Sequence, residues 1–185
     1  MDIYKQKFTQ LQQEILRLLF ANLGETFNQR EIAKKLKKSP TAVGKSLKLL
    51  QKENLLTISK NKSSNFSIIE LNLENKKIFE MKRIENLRLI YESGLSGFLE
   101  EKFTGKTIVL FGSYSKGEDT KDSDIDIAII GSKEENLNLG KFENLLKKEI
   151  RVQFYKELTK IHKNLKENIF NGIIISGGFS LWEIY

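Results

Sequence analysis

The chain has 185 residues, no cysteine and a formal net charge of +7. This length allows one large domain or two small ones, and the lack of cysteine excludes both a disulfide framework and a cysteine-ligated metal site. The N-terminus does not resemble a signal peptide, and no apolar run approaches the roughly 20 residues that cross a bilayer, so we expect a soluble, cytoplasmic protein without a membrane partner.

The positive charge is concentrated at the beginning of the chain. Residues 1–72 contain 13 basic and 6 acidic side chains, whereas residues 73–185 contain 18 of each. A basic segment joined to a neutral one indicates that the first segment binds a polyanion, of which nucleic acid is the most plausible.

Three helices are predicted within the basic segment. The first is indicated by apolar residues at helical spacing, namely Leu11, Ile15, Leu18 and Leu19. Asn28 followed by Glu31 has the pattern of a capping box and begins the second helix. Ser39 followed by Pro40 begins the third, because proline is favoured at the first helical position.

The third helix has one apolar and one polar face. Its buried stripe is predicted to contain Val43, Leu47 and Leu50. The opposite face contains Thr41, Lys45, Lys48 and Lys52. Such a face is either a solvated lysine surface or a surface that binds nucleic acid.

Two short strands, residues 55–59 and 66–69, follow with a polar, basic turn at residues 60–65 between them. Three helices and then a β-hairpin resemble a winged helix-turn-helix domain. The resemblance implies that Thr41, Lys45 and Lys48 face the major groove of double-stranded DNA, and that Lys60 and Lys62 contact its backbone phosphates. Some winged helices bind protein or RNA instead, and the charge asymmetry favours DNA.

Residues 73–92 are predicted to form a helical connector between a domain at residues 1–72 and a second domain at residues 93–185. The predicted apolar stripe of this helix comprises Ile78, Met81, Ile84, Leu87 and Tyr91. The helix is interpreted as a bridge between the domains, and its use in a homodimer that reads two half-sites stays open.

The second domain contains a glycine turn followed by an acidic pair. The apolar run 107–111 predicts a buried strand that ends at Gly112-Ser113, where backbone amides can approach an anion. A second strand begins at Asp124, and alternation places Asp124 and Asp126 on one face. Two adjacent carboxylates repel each other, which favours a cation such as Mg²⁺ between them.

This arrangement resembles the nucleotidyltransferase superfamily related to DNA polymerase β, in its minimal single-domain form. The matching positions are Gly112, Ser113, Gly117, Ser123, Asp124, Asp126 and the apolar residues 127–130. The resemblance implies an α+β chain whose second domain has a small mixed sheet.

The resemblance also implies roles for the matching residues. Asp124 and Asp126 would bind Mg²⁺ and act in catalysis, while Gly112, Ser113 and Lys116 would hold the triphosphate of an NTP, expected to be ATP. The reaction would transfer a nucleotidyl group to a hydroxyl acceptor. Some minimal relatives are antitoxins that adenylylate a partner toxin, so a protein substrate is plausible.

The sequence departs from the family at the third carboxylate that active members carry on a neighbouring strand. Gln153 stands where this acid is expected, and Glu149 lies on the same face but about 6.6 Å away along the strand. Two hypotheses therefore stay open. The chain is either a DNA-binding nucleotidyltransferase or a DNA-binding regulator whose second domain only binds a Mg-nucleotide.

Overall fold

The computed structural model describes residues 7–60 and 66–179. The chain divides into two compact units, residues 1–79 and 80–185, and the division falls inside a helix, Lys77–Glu92. The sequence-based division at residues 72 and 92 stays a prediction.

The N-terminal unit has the predicted order of three helices and a hairpin. Its elements are α1 Gln10–Ala21, α2 Gln29–Leu36, α3 Pro40–Lys52, β1 Leu56–Lys60 and β2 Ser67–Leu71. The two strands pair antiparallel, and Phe27 forms a further antiparallel bridge with Ile69 of β2. This order of elements is that of a winged helix-turn-helix domain, as the sequence predicts.

The predicted helix starts are confirmed by their hydrogen bonds. Asn28 accepts from the backbone amides of Arg30 and Glu31, and the Glu31 carboxylate accepts from the Asn28 amide at 2.8 Å. Ser39 Oγ accepts from the Ala42 amide at 3.2 Å, with proline at the first position of α3. These caps satisfy amides that a helix start leaves without partners, which fixes where α2 and α3 begin.

The C-terminal unit is built on a mixed four-stranded sheet. Its elements are α4 Lys77–Glu92, which begins in the first unit, α5 Leu95–Lys102, β3 Thr107–Phe111, α6 Gly112–Lys116, β4 Ile125–Ile130, α7 Gly140–Leu146, β5 Ile150–Tyr155, α8 Lys163–Phe170 and β6 Ile173–Ser176. The strand order is β5-β4-β3-β6. The β4-β5 pair is parallel, while β3 pairs antiparallel with β4 and β6. A short 3-10 turn, Leu158–Lys160, precedes α8.

Both faces of this sheet are covered by apolar residues. Ile125, Ile127 and Ile129 of β4 belong to one buried cluster, with residues of α5 and α7. Ala128 and Ile130 belong to the other, with Ile169 of α8. All five residues of β3 are buried, as its unbroken apolar run predicts. Because side chains alternate along a strand, Asp126 lies on the same face as Ala128.

The predicted apolar stripe of α4 is wrong at two positions. Ile84 is 69% exposed and Tyr91 is 49% exposed, while Lys82 and Asn86 are buried with Ile78 and Ile90. The physical reason is an acidic partner, Asp119, on a distant loop that binds Lys82 and Asn86. Spacing along the helix cannot reveal that partner.

None of the helices in residues 7–60 and 66–179 combines the length and the apolar character that crossing a membrane requires.

Candidate functional site

The glycine turn after β3 packs directly against the second aspartate. Gly112 has φ +73°, a backbone conformation that favours glycine. A Cβ atom added at Gly112 would lie far inside van der Waals distance of Asp126 Oδ2. Ser115 Oγ donates to the Gly112 carbonyl at 2.8 Å and so stabilises the turn. Glycine is therefore the residue that lets this turn approach the acid.

The two aspartates lie at the beginning of β4. Asp124 immediately precedes the strand, and Asp126 is its second residue and is half-buried. Burial is the main cause that raises the pKa of Asp126, and the nearby Asp124 carboxylate raises it further. The Arg151 guanidinium opposes this shift. Burial disfavours the charged form of this carboxyl group, and a bound cation would stabilise that charged form.

Arg151 of β5 lies beside both aspartates. The parallel register pairs Asp126 with Arg151, and it pairs Ala128 with Gln153. Arg151 Nη1 lies 2.8 Å from Asp124 Oδ2. The position opposite the second acid is therefore occupied by a cation, and Gln153, a candidate for the third ligand, lies opposite Ala128. Alternation identifies which residues share a face, but it does not give the register between strands.

The other two candidates for the third ligand have different partners. Gln153 Oε1 accepts a hydrogen bond from the Tyr155 hydroxyl. Glu149 Oε1 accepts from Arg151 Nε at 3.2 Å. Both side chains therefore already have hydrogen-bond partners, and neither completes an acidic cluster with Asp124 and Asp126.

The acidic residues fit one divalent cation better than two. Within residues 7–60 and 66–179, no group of three or more histidine, aspartate or glutamate side chains could hold a metal. Magnesium is often bound by one or two carboxylates together with substrate phosphates and water. Asp124 and Asp126 could therefore hold one divalent cation together with phosphate and water ligands, whereas two ions would need a further acid.

The loop that leads to Asp124 is anchored by Asp119, which is 1% exposed. Its Oδ1 accepts from Lys82 Nζ and, at 2.6 Å, from Asn86 Nδ2. Asn86 Nδ2 also donates to the Tyr114 carbonyl at 2.9 Å, next to the glycine turn. Burial lowers the pKa of Lys82, and the Asp119 carboxylate opposes this shift.

Lys148, just before β5, holds the same loop from another side. Its Nζ lies 3.3 Å from Asp119 Oδ2 and donates to the Ser123 carbonyl at 3.1 Å. Ser123 Oγ in turn accepts from the Thr120 amide at 2.9 Å. The loop is thus fixed immediately before the first aspartate. The sequence did not predict this group of residues, which comprises Lys82, Asn86, Asp119 and Lys148. Charged and polar side chains on an amphipathic helix or in a turn are usually solvated.

The remaining residues predicted to bind nucleotide lie on α6. Ser113 is partly buried in the first turn of this helix, where Phe111 provides no side-chain cap. Lys116 is exposed in its last turn. In the part of the chain that the structure describes, Lys116 has no hydrogen bond or ion pair with Asp124 or Asp126, so its place near a phosphate stays a prediction.

The residues predicted to bind DNA lie on an exposed face. Thr41, Lys45 and Lys48 are exposed on α3. Val43, Leu47 and Leu50 are buried on the opposite face of that helix. Lys60 is exposed at the end of β1, and Lys62 lies outside the described residues.

The N-terminal unit also contains a cleft that the sequence did not predict. It has a volume of about 560 Å³ and is lined by Asn28, Gln29, Arg30, Pro40, Phe66 and Ser67. The Arg30 guanidinium lies 5.8 Å from the centre of the Phe66 ring. These residues are far apart in sequence, and no spacing pattern connects α2 with the start of β2.

Most of the second unit is similar to one known domain family. Residues 92–176 match the nucleotidyltransferase domain family. MJ1379 of Methanocaldococcus jannaschii, a protein named for protein adenylyltransferase activity, is 55% identical over 31 residues. The match covers 17% of this chain and 31% of that relative, so the chain spans less than a third of its length.

Two solved structures are similar to part of the chain. The adhesin competence repressor AdcR of Streptococcus pyogenes is 27% identical with a TM-score of 0.41, and the match covers 54% of this chain and 71% of that one. YusO of Bacillus subtilis is 24% identical with a TM-score of 0.35, and the match covers 40% of this chain and 51% of that one. The first unit thus has the order of elements of a winged helix-turn-helix domain, and residues 92–176 match the nucleotidyltransferase domain family.

Proposed function

We propose that this chain is a DNA-binding protein whose second domain transfers a nucleotidyl group from an NTP to a hydroxyl acceptor. The observation that carries the proposal is the packing of the Gly112 turn against Asp126, with Asp124 two residues earlier. This packing combines a backbone that can approach a phosphate closely with two carboxylates that can hold a cation. The match of residues 92–176 to the nucleotidyltransferase family supports the same chemistry.

The reaction uses residues of the site in three roles. Asp124 and Asp126 would hold Mg²⁺, and a bound ion would neutralise phosphate charge and support the departure of pyrophosphate. Gly112 and Ser113 hold the triphosphate, and Lys116 adds a positive charge. The acceptor oxygen forms a bond with the α-phosphorus, the bond from that phosphorus to the β-phosphate oxygen breaks, and the hydroxyl proton passes to water.

The acceptor is proposed to be a hydroxyl group of a protein, and the donor is proposed to be ATP. The name of the M. jannaschii relative, which refers to adenylyl transfer to protein, supports both choices. A partner toxin is the specific candidate, because antitoxins occur among the minimal relatives that this domain resembles.

The first unit is proposed to bind double-stranded DNA through α3 and the wing. Thr41, Lys45 and Lys48 would enter the major groove, and Lys60 and Lys62 would contact phosphates. The excess of basic over acidic residues lies entirely in residues 1–72, which supports a polyanion as the partner of this unit.

The transfer is tested with ATP that carries a radioactive α-phosphate. The full chain is incubated with this nucleotide, Mg²⁺ and candidate protein partners, with Asp126→Asn as the inactive control. We expect label on a protein acceptor with the wild-type chain and none with the variant. Nucleotide binding without any label transfer would contradict the enzymatic part of the proposal.

A second function is favoured by Arg151. Because the position opposite Asp126 carries a guanidinium, the domain has two acids where three would hold two ions. On this alternative, the chain is a DNA-binding regulator whose second domain binds a Mg-nucleotide without turning it over. Its signature would be a change in DNA affinity on addition of Mg-ATP, in the absence of label transfer.

A further inference from the structure

Arg151 contacts a carboxylate oxygen of Asp124 that a metal ion at this site would need as a ligand. Its guanidinium lies opposite Asp126 in the register and 2.8 Å from Asp124 Oδ2. A guanidinium and a divalent cation on the same carboxylate bring positive charges within a few ångströms of each other. Occupancy of Asp124 by Arg151 therefore opposes occupancy by metal.

Arg151 also has a second acidic partner on its own segment. Arg151 Nε donates to Glu149 Oε1 at 3.2 Å while Nη1 contacts Asp124. The guanidinium has several donors in one plane, so it can release one carboxylate and keep the other. The Arg151 side chain is 56% exposed, and exposed ion pairs are weak, so a divalent cation can displace this pair.

We propose that Arg151 competes with divalent metal for Asp124, and that Glu149 retains the guanidinium when metal enters. The inference rests on the nucleotide site of the proposed function and adds a regulation of that site. Metal binding requires the Arg151–Asp124 ion pair to open, so the site has a lower affinity for metal than its two aspartates alone would give.

The test is a titration of the full chain with Mn²⁺ alone, in which free Mn²⁺ is followed by electron paramagnetic resonance. Arg151→Gln is expected to bind Mn²⁺ about tenfold more tightly than wild type, because one positive charge a few ångströms from a divalent ion is removed. Arg151→Asp is expected to bind it more tightly still, because a third carboxylate is added.

Two further variants separate competition from a general effect of charge. Lys163→Gln removes an exposed positive charge at the start of α8 and should leave Mn²⁺ affinity unchanged. Glu149→Gln should weaken Mn²⁺ binding in wild type more than in the Arg151→Gln background, because Glu149 acts through Arg151. Thermal melts verify that each variant is folded.

The outcomes distinguish this inference from the proposed function. If Arg151→Gln binds Mn²⁺ no more tightly than wild type, or if even Arg151→Asp fails to bind it, the competition is overturned. If Arg151→Gln gains affinity and Asp126→Asn removes it, both the site and the competition are supported. Mn²⁺ binding that survives in Asp126→Asn would place the metal elsewhere and contradict the proposed site itself.

Discussion

The buried contact between Lys82 and Asp119 gives a sharp prediction about stability. Asp119→Asn keeps the shape of the side chain but leaves the buried Lys82 ammonium without its acidic partner. Both residues are 1% exposed, so solvent screens the lost interaction very little. Removal of one member of a buried ion pair typically costs about 3–5 kcal/mol, and we expect the free energy of unfolding to fall by that amount.

Replacement of the lysine should reduce the free energy of unfolding less than replacement of the acid. In Lys82→Met, Asp119 keeps Asn86 and Lys148 as partners, so we expect a loss of about 1–3 kcal/mol. The double variant, Lys82→Met with Asp119→Asn, should lose less than the sum of the single variants, because it no longer buries an unpaired ammonium. Lys102→Met is the matched control, since its ion pair with Glu135 at 3.6 Å is more exposed and should contribute at most about 1 kcal/mol.

The assay is urea unfolding of the full chain, followed by circular dichroism. Hydrogen exchange of residues 107–130 establishes that the loss lies in the second unit, where Asp119 anchors the loop before β4. Additive losses in the double variant would show that the two side chains do not interact. A larger loss for Lys82→Met than for Asp119→Asn would refute the argument that the uncompensated lysine dominates the cost.

Three further predictions concern the acids, the glycine turn and α3. Because the folded state raises the pKa of Asp126, its charged form reduces stability as pH rises above the ordinary carboxyl value of 3.8. Asp126→Asn should therefore raise the melting temperature at pH 7 but not near pH 3, and an equal difference at both pH values would contradict this reasoning. Gly112→Ala should lose at least about 1–2 kcal/mol of stability because of its positive φ, and it should also lose affinity for Mg-ATP, measured by calorimetry. Gly97 lies inside α5, where an added Cβ meets no atom within 4 Å and alanine is the better helix former, so Gly97→Ala should not lose stability. Lys45→Ala with Lys48→Ala should weaken duplex binding in fluorescence anisotropy and flatten its dependence on salt concentration, and an unchanged affinity would argue against the placement of α3.

Local rules predicted much of this fold. The caps at Asn28 and Ser39, the glycine turn at Gly112 and the fully buried strand β3 all depend on residues within a few positions of each other. Such short-range patterns are visible in the sequence because the interacting groups are neighbours along the chain.

The rest depended on contacts between distant segments. Lys82 is buried because Asp119, 37 residues later, provides a charged partner, and helical spacing gives no sign of it. Arg151 lies opposite Asp126 because β4 and β5 pair in one register, which alternation leaves undetermined. In both cases a charged residue interacts with a carboxylate that is remote in sequence.

The helix that crosses the boundary between the units determines how the protein can be dissected. A fragment that begins at residue 93 would contain nearly all of the matched family region, but it would lack the Lys82 ammonium and the Asn86 amide. Asp119 would then keep only Lys148 among its present partners, and its loop would lose its attachment to α4. A truncated protein intended for biochemical work should therefore retain all of Lys77–Glu92, although most of this helix precedes the matched region.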